Sequence, residues 1–407
     1  MRIAHINMFY LPTFGGVEQV MYELTKKQVK EGHEVHVFCC DSDKNKRINV
    51  KEEIIEGVHV HRFPYWFRLS LNTFIWPSLL WRFKRYTQNS KNFGATKSMA
   101  VRSHRRGGED FVGFDIIHTH VSGHAYILFA GILAKSKGIK HIHTTHCPWT
   151  DMSFRPWILR PFLFLNELFF NRLSFSLIDK IVSITPWEKE TLKKFTEEGK
   201  IRIIKNGMDD ILYKKIKKNN FKKNHKIKEK KLVLFFGRLN PTKGPEKLAL
   251  AAINISKKRK DIAFVWVGPD EGKAEEVKKL IKPYKNMKYL GPLRGKEKIA
   301  EMYQASDVYV LPTYREGLPL TLFEAMASGL PIVTSPVNGI PYEMKEPENG
   351  FFSDYGDIES LETNILKILD NPELARKISL NNFKKAKQYE WNIIHKQYMK
   401  EYESLLK

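Results

Sequence analysis

Two carboxylates stand in the run Tyr314-Arg-Glu-Gly-Leu-Pro-Leu-Thr-Leu-Phe-Glu-Ala-Met-Ala-Ser-Gly329, which is otherwise poor in charge. Glu316 precedes a predicted helix and Glu324 follows eight residues on, so at 1.5 Å per residue they lie roughly 12 Å apart. One ligand group cannot sit between both. They suit the two ends of an extended molecule, with Glu324 accepting hydrogen bonds from a ribose diol and Glu316 from sugar hydroxyls. Between them, the backbone from Gly317 through Leu318 and Pro319 to Leu320 offers N–H groups to a phosphate. A capped amphipathic helix ending at Gly329 accounts for Leu322, Ala325 and Met326, but not for an acidic pair with Gly-Leu-Pro between its members.

Two further loops carry residues suited to anions. After the apolar run Val233 to Phe236 comes Gly237-Arg-Leu-Asn-Pro-Thr-Lys-Gly244, which puts Arg238 and Lys243 at the carboxyl end of a predicted parallel strand, where doubly wound sheets bind ligands. Arg by bidentate bonding and Lys as a point charge suit a diphosphate leaving group; two solvated loop charges are the plainer reading. Near the amino terminus, Phe14-Gly-Gly-Val-Glu18 opens a predicted helix. Gly15 and Gly16 let backbone approach a pyrophosphate at the helix N-terminus, or form a tight turn in which Glu18 complements the helix dipole. The pair Asp41-Ser-Asp43 has the spacing of a metal-binding DxD motif, yet it follows a strand within a basic run and reads as a solvated turn.

The elements that must position these groups form two series. Ile3 to Ile6, a helix over Val17 to Lys30, and Glu34 to Phe38 make a βαβ unit and so a parallel sheet; the pattern resumes at 114–118, 140–144 and 180–184. A second series begins at Leu232 and continues through 263–267, 287–290, 308–311 and 331–334, with helical stretches between. Two βα series predict an α/β chain of two Rossmann-like doubly wound parallel-sheet domains. The expected bounds are 1–205, with an irregular insertion at 65–110, then a linker at 206–231, a second domain at 232–390, and a carboxyl-terminal helix at 391–407 able to pack against either. The segment 213–231 holds ten lysines and one glutamate, too polar to bury, and reads as a solvated connection.

Composition narrows the function. The 407 residues exceed what one core usually supports, and 68 Lys+Arg against 45 Asp+Glu give a net charge of +23. Such an excess suits phosphate-bearing partners: nucleotides, an anionic bilayer or nucleic acid. No helix-turn-helix, RNP or zinc pattern accompanies it, which disfavours nucleic acid. Three cysteines, two of them adjacent, make neither a disulfide framework nor a metal pair and fit a cytoplasmic compartment. Met1 to Tyr10 reads as a strand rather than a secretory signal, and the most apolar stretch, 154–178, is interrupted by charge and proline too often to span a membrane.

In order and register, the Gly15/Gly16 loop, Asn206-Gly-Met-Asp209, the 237–244 loop and Glu316 with Glu324 resemble the GT-B retaining glycosyltransferases of the large family four. The likeness runs over about residues 1 to 400 apart from the insertion and the lysine-rich segment. It implies a nucleotide-sugar, with UDP or GDP, held in a cleft mainly by the second domain, an acceptor held by the first, transfer with retention, and no cofactor or metal. By position it makes Arg238 and Lys243 the groups that neutralise the leaving diphosphate, Glu316 the sugar holder and Glu324 the ribose holder. Gly15, Gly16, Asn206 and the residues Gly317 to Leu320 join the donor site. His120, at the end of a strand, matches a catalytic histidine near the transferred sugar, and His146 matches a second histidine that, with Glu18, could face sugar or acceptor. Met208 stands where a small aliphatic residue is usual, and the second-domain loop is short. A carboxylate nucleophile of the glycosidase kind has no good candidate, so attack from the leaving-group side, with the departing phosphate taking the acceptor proton, is the expectation.

The acceptor side reads as lipid-facing. Residues 66–86 mix Trp66, Phe67, Phe74, Trp76, Trp81, Phe83 and Tyr86 with Arg68, Arg82, Lys84 and Arg85, a combination suited to a headgroup interface. In 154–178, Arg160, Glu167, Asn171 and Ser174 project within about 60° of one another, leaving a helix that is either buried on most sides or dipped into lipid. A lipid or lipid-linked acceptor and peripheral attachment to an anionic membrane follow as expectations. A nucleotide-sugar epimerase or phosphorylase on the same fold, or a basic membrane- or nucleic-acid-binding protein without catalysis, are the alternatives.

Overall fold

The structure is a computed structural model that describes residues 1–13, 15–70, 73–87, 113–146, 157, 160–161 and 166–407. The chain forms two compact units, one of Met1–Ile184, Glu188–Ile204 and His395–Lys407, the other of Thr185–Trp187 and Lys205–Ile394.

The first unit is built on strands β1 (Arg2–Ile6), β2 (Glu34–Cys40), β3 (Glu52–Ile55), β4 (Val58–Phe63), β7 (Ile116–His120), β8 (Lys140–Thr144), β9 (Lys180–Ser183) and β10 (Ile201–Ile203), in the order β10-β9-β8-β7-β1-β2-β4-β3. Every pair is parallel except β3 with β4. Strands β1 and β7 are buried along their whole length, as expected of a parallel sheet covered on both faces. Helix α1 (Gly16–Lys30) covers one face with Val20, Met21 and Leu24, the apolar spacing that predicts it.

Part of the expected irregular insertion is regular. Strand β5 (Phe67–Ser70) pairs antiparallel with β6 (Thr73–Ile75), and helix α2 (Ser78–Tyr86) follows. Phe74, Trp76 and Phe83, read in sequence as headgroup-facing, pack instead into the core with Phe38 and Phe63. Trp66, Phe67 and Trp81 remain 63%, 53% and 59% exposed, and Arg68 and Lys84 beside them are exposed too. Residues 88–110 lie outside the described residues.

The stretch 154–178 is described from 166 onward and at Trp157, Arg160 and Pro161. The expected polar stripe is divided: Arg160 is exposed, whereas Asn171 and Ser174 are buried, and Trp157, Phe169 and Leu173 are exposed. Ser174 satisfies its hydroxyl by donating to the carbonyl of Phe170 at 2.8 Å, so a small polar side chain lies inward at little cost. Phe175 and Ile178 reach the core.

The second unit has strands β11 (Lys231–Phe236), β12 (Ile262–Val267), β13 (Met287–Tyr289), β14 (Val308–Leu311), β15 (Ile332–Thr334) and β16 (Gly350–Phe352), all parallel, in the order β13-β12-β11-β14-β15-β16. Residues 206–231 are part of this unit rather than a free linker. Phe221 and Ile227 are buried, Asn219 donates to the carbonyl of Glu301 at 2.7 Å, and the carboxamide of Gln304 accepts from the N–H of Ile216 at 2.9 Å. The lysines keep their charged ends outward while a few apolar anchors hold the backbone. The last helix, Trp391–Leu406, begins in the second unit and from His395 belongs to the first. Among the described residues, no helix is long and apolar enough to cross a membrane.

Candidate functional site

In each sheet the strand order reverses direction once, between β1 and β7 in the first unit and between β11 and β14 in the second. The loops leaving the carboxyl ends of such a strand pair splay apart and leave room for a ligand. The 237–244 loop follows β11 and the run before Glu316 follows β14, so the topology delivers both sequence motifs of the second unit to one place.

Their local geometry is closely tied. Asn240 caps the turn Pro241–Lys243 by accepting from the N–H of Lys243 at 3.2 Å. Gly244 then takes a left-handed conformation with φ +60, and a Cβ there would overlap the carbonyl oxygen of Pro312. Pro245 opens the helix α3 (Pro245–Lys258), where its missing N–H costs nothing. Thr313 donates to the carbonyl of Thr242 at 2.6 Å, and the N–H of Tyr314 to the same carbonyl at 3.1 Å. These bonds stitch the two loops together.

The result is an ion pair between Lys243 and Glu316, both side chains largely buried. Thr313 is within 3.4 Å of the same carboxylate, and Asn338 donates to the backbone carbonyl of Glu316 at 2.5 Å. Arg238 lies apart from this pair, more than half exposed, and bonds Glu271 at 3.1 Å. Gly317, Leu318 and Pro319 lead into helix α4 (Leu320–Ala327), which has no side-chain cap and no acidic residue in its first turn. Its early N–H groups are therefore not countered by a carboxylate of its own.

Glu324 lies on α4 and, among the described residues, shares no hydrogen-bond partner with Glu316. Tyr303 donates to its Oε2 at 2.8 Å. Burial pushes the Glu324 carboxyl up to about 7, against the lowering effect of the Tyr303 hydrogen bond and with some help from the charge of Asp209. Asn206 is buried, its carboxamide oxygen without a partner among the described residues.

The amino-terminal motif lies at the start of α1. Glu18 is buried, its carboxylate turns back toward Gly15 so closely that a Cβ there would overlap it, and Lys44 lies 3.6 Å away. The carboxylate of α1 thus lies beside the helix's own N-terminus, where the dipole favours it. Gly15 has an extended backbone and a Cβ there would meet only the movable end of the Glu18 side chain, and Gly16 is the first residue of the helix. Asp41 and Asp43 are occupied locally: Asp41 bonds Arg47 at 2.9 Å and accepts from the N–H of Tyr65, while Asp43 accepts from the N–H groups of Asn45 and Lys46.

His120, on β7, is fully buried with both ring nitrogens engaged: Nε2 with His5 at 3.0 Å and Nδ1 with His146 at 3.1 Å. His146, partly exposed, is the outer member and holds a left-handed backbone with φ +55, a strained conformation for a residue with a side chain. His5, His118 and His120 come within 4.8 Å of one another, the spacing of a metal ligand set. All six of their ring nitrogens, however, have hydrogen-bond partners in the protein. Burial drives their proton affinity down, His5 to about 4 and His146 to about 3, so these imidazoles are neutral at pH 7. His5, Gln28 and Tyr402 escaped sequence reasoning. The signal available was a polar His5 in the middle of an otherwise apolar strand.

The family Glycosyl transferases group 1 matches residues 216–385 and Glycosyltransferase Family 4 matches residues 14–211. An uncharacterized glycosyltransferase of Methanocaldococcus jannaschii is 26% identical over 409 residues, covering 98% of this chain and 97% of that one. The N,N'-diacetylbacillosaminyl-diphospho-undecaprenol alpha-1,3-N-acetylgalactosaminyltransferase of Campylobacter jejuni is 28% identical over 242 residues, 58% of this chain and 63% of its own. Among solved structures, Anabaena HepE in complex with UDP and glucose superposes with a TM-score of 0.74 at 16% identity, over 99% of this chain and 100% of that one.

Proposed function

The chain belongs to the group 1 glycosyl transferases, with an amino-terminal half of glycosyltransferase family 4, and from that premise we propose that it moves a hexosyl group from a nucleoside-diphosphate sugar to a lipid-linked acceptor with retention of anomeric configuration. It is a glycosyltransferase; the donor, acceptor and stereochemistry are the proposal. The observation that carries it is the Lys243–Glu316 pair at the strand-order reversal of the second sheet, with the uncapped start of α4 and Glu324 following in sequence.

In this reading Lys243 and Arg238 take up charge on the departing diphosphate, a stabilisation worth most where water is excluded. Glu316 accepts from sugar hydroxyls, the backbone from Gly317 to Leu320 meets phosphate, and Glu324 and Asn206 hold the nucleoside. His120 acts through His146, the member of the pair with access to a sugar hydroxyl. The leaving phosphate takes the acceptor proton, so the protein supplies orientation and charge rather than a nucleophile. No metal takes part, and transfer persists in a chelator.

UDP is the favoured nucleotide because Anabaena HepE carries it on the same fold, and a diphospho-undecaprenol acceptor is favoured by the name of the Campylobacter enzyme. Exposed Trp66, Phe67, Trp81, Phe169 and Leu173 with Arg68 and Lys84 suit docking on an anionic bilayer, where the acceptor's lipid would reside.

The test is incubation with radiolabelled UDP- and GDP-sugars and lipid-diphosphate-linked sugars in vesicles containing anionic lipid, the product's anomeric configuration being read by NMR. A lipid-extractable α-linked product from an α-linked donor is expected. Donor turnover that is indifferent to every acceptor, or an inverted product, defeats the reading. Flotation with the vesicles should weaken in Trp66→Ala/Trp81→Ala.

A further inference from the structure

His5, His120 and His146 form one hydrogen-bonded line in the first unit and Tyr402 and His118 another, and the two meet at one amide. Gln28, on α1, has its Oε1 2.8 Å from Nε2 of His5 and its Nε2 3.3 Å from the hydroxyl of Tyr402. An amide oxygen only accepts and an amide nitrogen only donates, so the direction of every proton in the His5 line follows, and in the Tyr402 line it follows because the hydroxyl hydrogen has His118 as its acceptor among the described residues. His5 carries its hydrogen on Nε2 and donates to Gln28, which leaves Nδ1 as an acceptor. His120 must then donate from Nε2 to His5, leaving its own Nδ1 to accept. His146 donates from Nε2 to His120 and is left with Nδ1 as the terminal acceptor.

In the other line, the Tyr402 hydroxyl accepts from Gln28 and donates to Nδ1 of His118 at 2.6 Å. His118 accordingly donates from Nε2 to the hydroxyl of Thr144 at 2.7 Å. A neutral imidazole has one donor and one acceptor, so among His5, His120 and His146 no member can reverse unless the whole line does. Burial keeps each ring neutral, as the lowered proton affinities of His5, His118, His120 and His146 require.

We infer that Gln28, His5 and Tyr402 are positioning residues, with Gln28 fixing the tautomers of His120 and His146 so that His146 presents an unprotonated Nδ1 and selects a hydroxyl donor on the substrate. The assignment of tautomers stands on the hydrogen bonds alone; the role toward substrate rests on the glycosyltransfer proposed above. A site built this way takes a sugar carrying a free hydroxyl at that point and rejects one whose group there can only accept, because neither partner could then supply a hydrogen.

The experiment is long-range ¹H–¹⁵N correlation of the whole protein, labelled at histidine, at neutral pH. His5, His118, His120 and His146 should all show the Nε2–H tautomer. The reversed amide would run both lines backward and give Nδ1–H throughout, and that result, or a mixture at His120 or His146, overturns the inference. Gln28→Glu offers an acceptor to both lines. It should keep His5, His120 and His146 as they are while turning His118 to Nδ1–H, with Tyr402 donating to the carboxylate. Gln28→Leu should mix the tautomers of His5, His120 and His146 and lower kcat at least about tenfold with little change in donor KM. Unchanged histidine signals in both variants would also refute it. Should the tautomers be as expected but no sugar transfer be found, the proposed function fails while the assignment of tautomers stands.

Discussion

Lys243 and Glu316 neutralise each other in a largely buried setting, so removing either leaves the other charge without its partner, a loss that costs about 3–5 kcal/mol when the site is dry. Transfer must therefore be compared at equal folded fraction. Lys243→Ala and Glu316→Ala are each expected to retain the fold at low temperature and to cut kcat/KM by roughly a hundredfold or more; near-normal turnover in either purified variant would sink the assignment. Glu324 supplies a test in pH. Its carboxyl, raised by burial to about 7, holds a proton that the unfolded chain releases near the ordinary carboxylate value. Stability thus falls as pH rises from about 4.5 to 7, by on the order of 3 kcal/mol, and stays low above that. Only the ionised form accepts two ribose hydrogen bonds, so donor affinity measured by calorimetry should climb between pH 6 and 8. Glu324→Gln should flatten both the stability and the affinity profiles; a variant that titrates like the parent would show that another group is responsible.

At the scale of elements, the link from β11 through the 237–244 loop to α3 has one weak point. Gly244 combines positive φ with the close carbonyl of Pro312. Gly244→Ala is expected to cost more than about 1 kcal/mol of stability and to raise donor KM by displacing Lys243, whereas a change in kcat alone would argue against this coupling. The strands were legible because Val, Ile and Phe cluster in short runs separated by helical periodicity, and the second-unit site because its loops fall at the carboxyl ends of strands. The lysine segment misled because charge density masked two anchors, Phe221 and Ile227, that suffice to dock it. The stripe of 160–174 left burial and lipid contact open because periodicity gives the angle between faces, not which of them turns inward; Arg160 proves exposed and Asn171 and Ser174 buried. The histidine network was invisible for a different reason: His5 and Tyr402 are nearly four hundred residues apart, and only the tertiary fold brings them to the same glutamine.

Across the whole molecule, the two units should respond differently to acid. His5, His36, His118, His120, His141 and His146 all lie in the first unit, and burial is the first cause lowering the proton affinity of each. Below pH 6.5 the unfolded chain takes up protons that these folded rings refuse, so the stability they leave intact at neutral pH is lost as pH falls toward 4. Calorimetry from pH 7.5 to 5, with hydrogen exchange to assign the transitions, should show the first unit melting progressively earlier while the second changes less. Equal shifts in both would refute this. The helix Trp391–Leu406 carries a consequence for biosynthesis. Tyr402, which bonds both Gln28 and His118, is translated after every residue of the second unit. The first unit therefore cannot complete the hydrogen bonds of Tyr402 to Gln28 and His118 until all of the second unit has been translated.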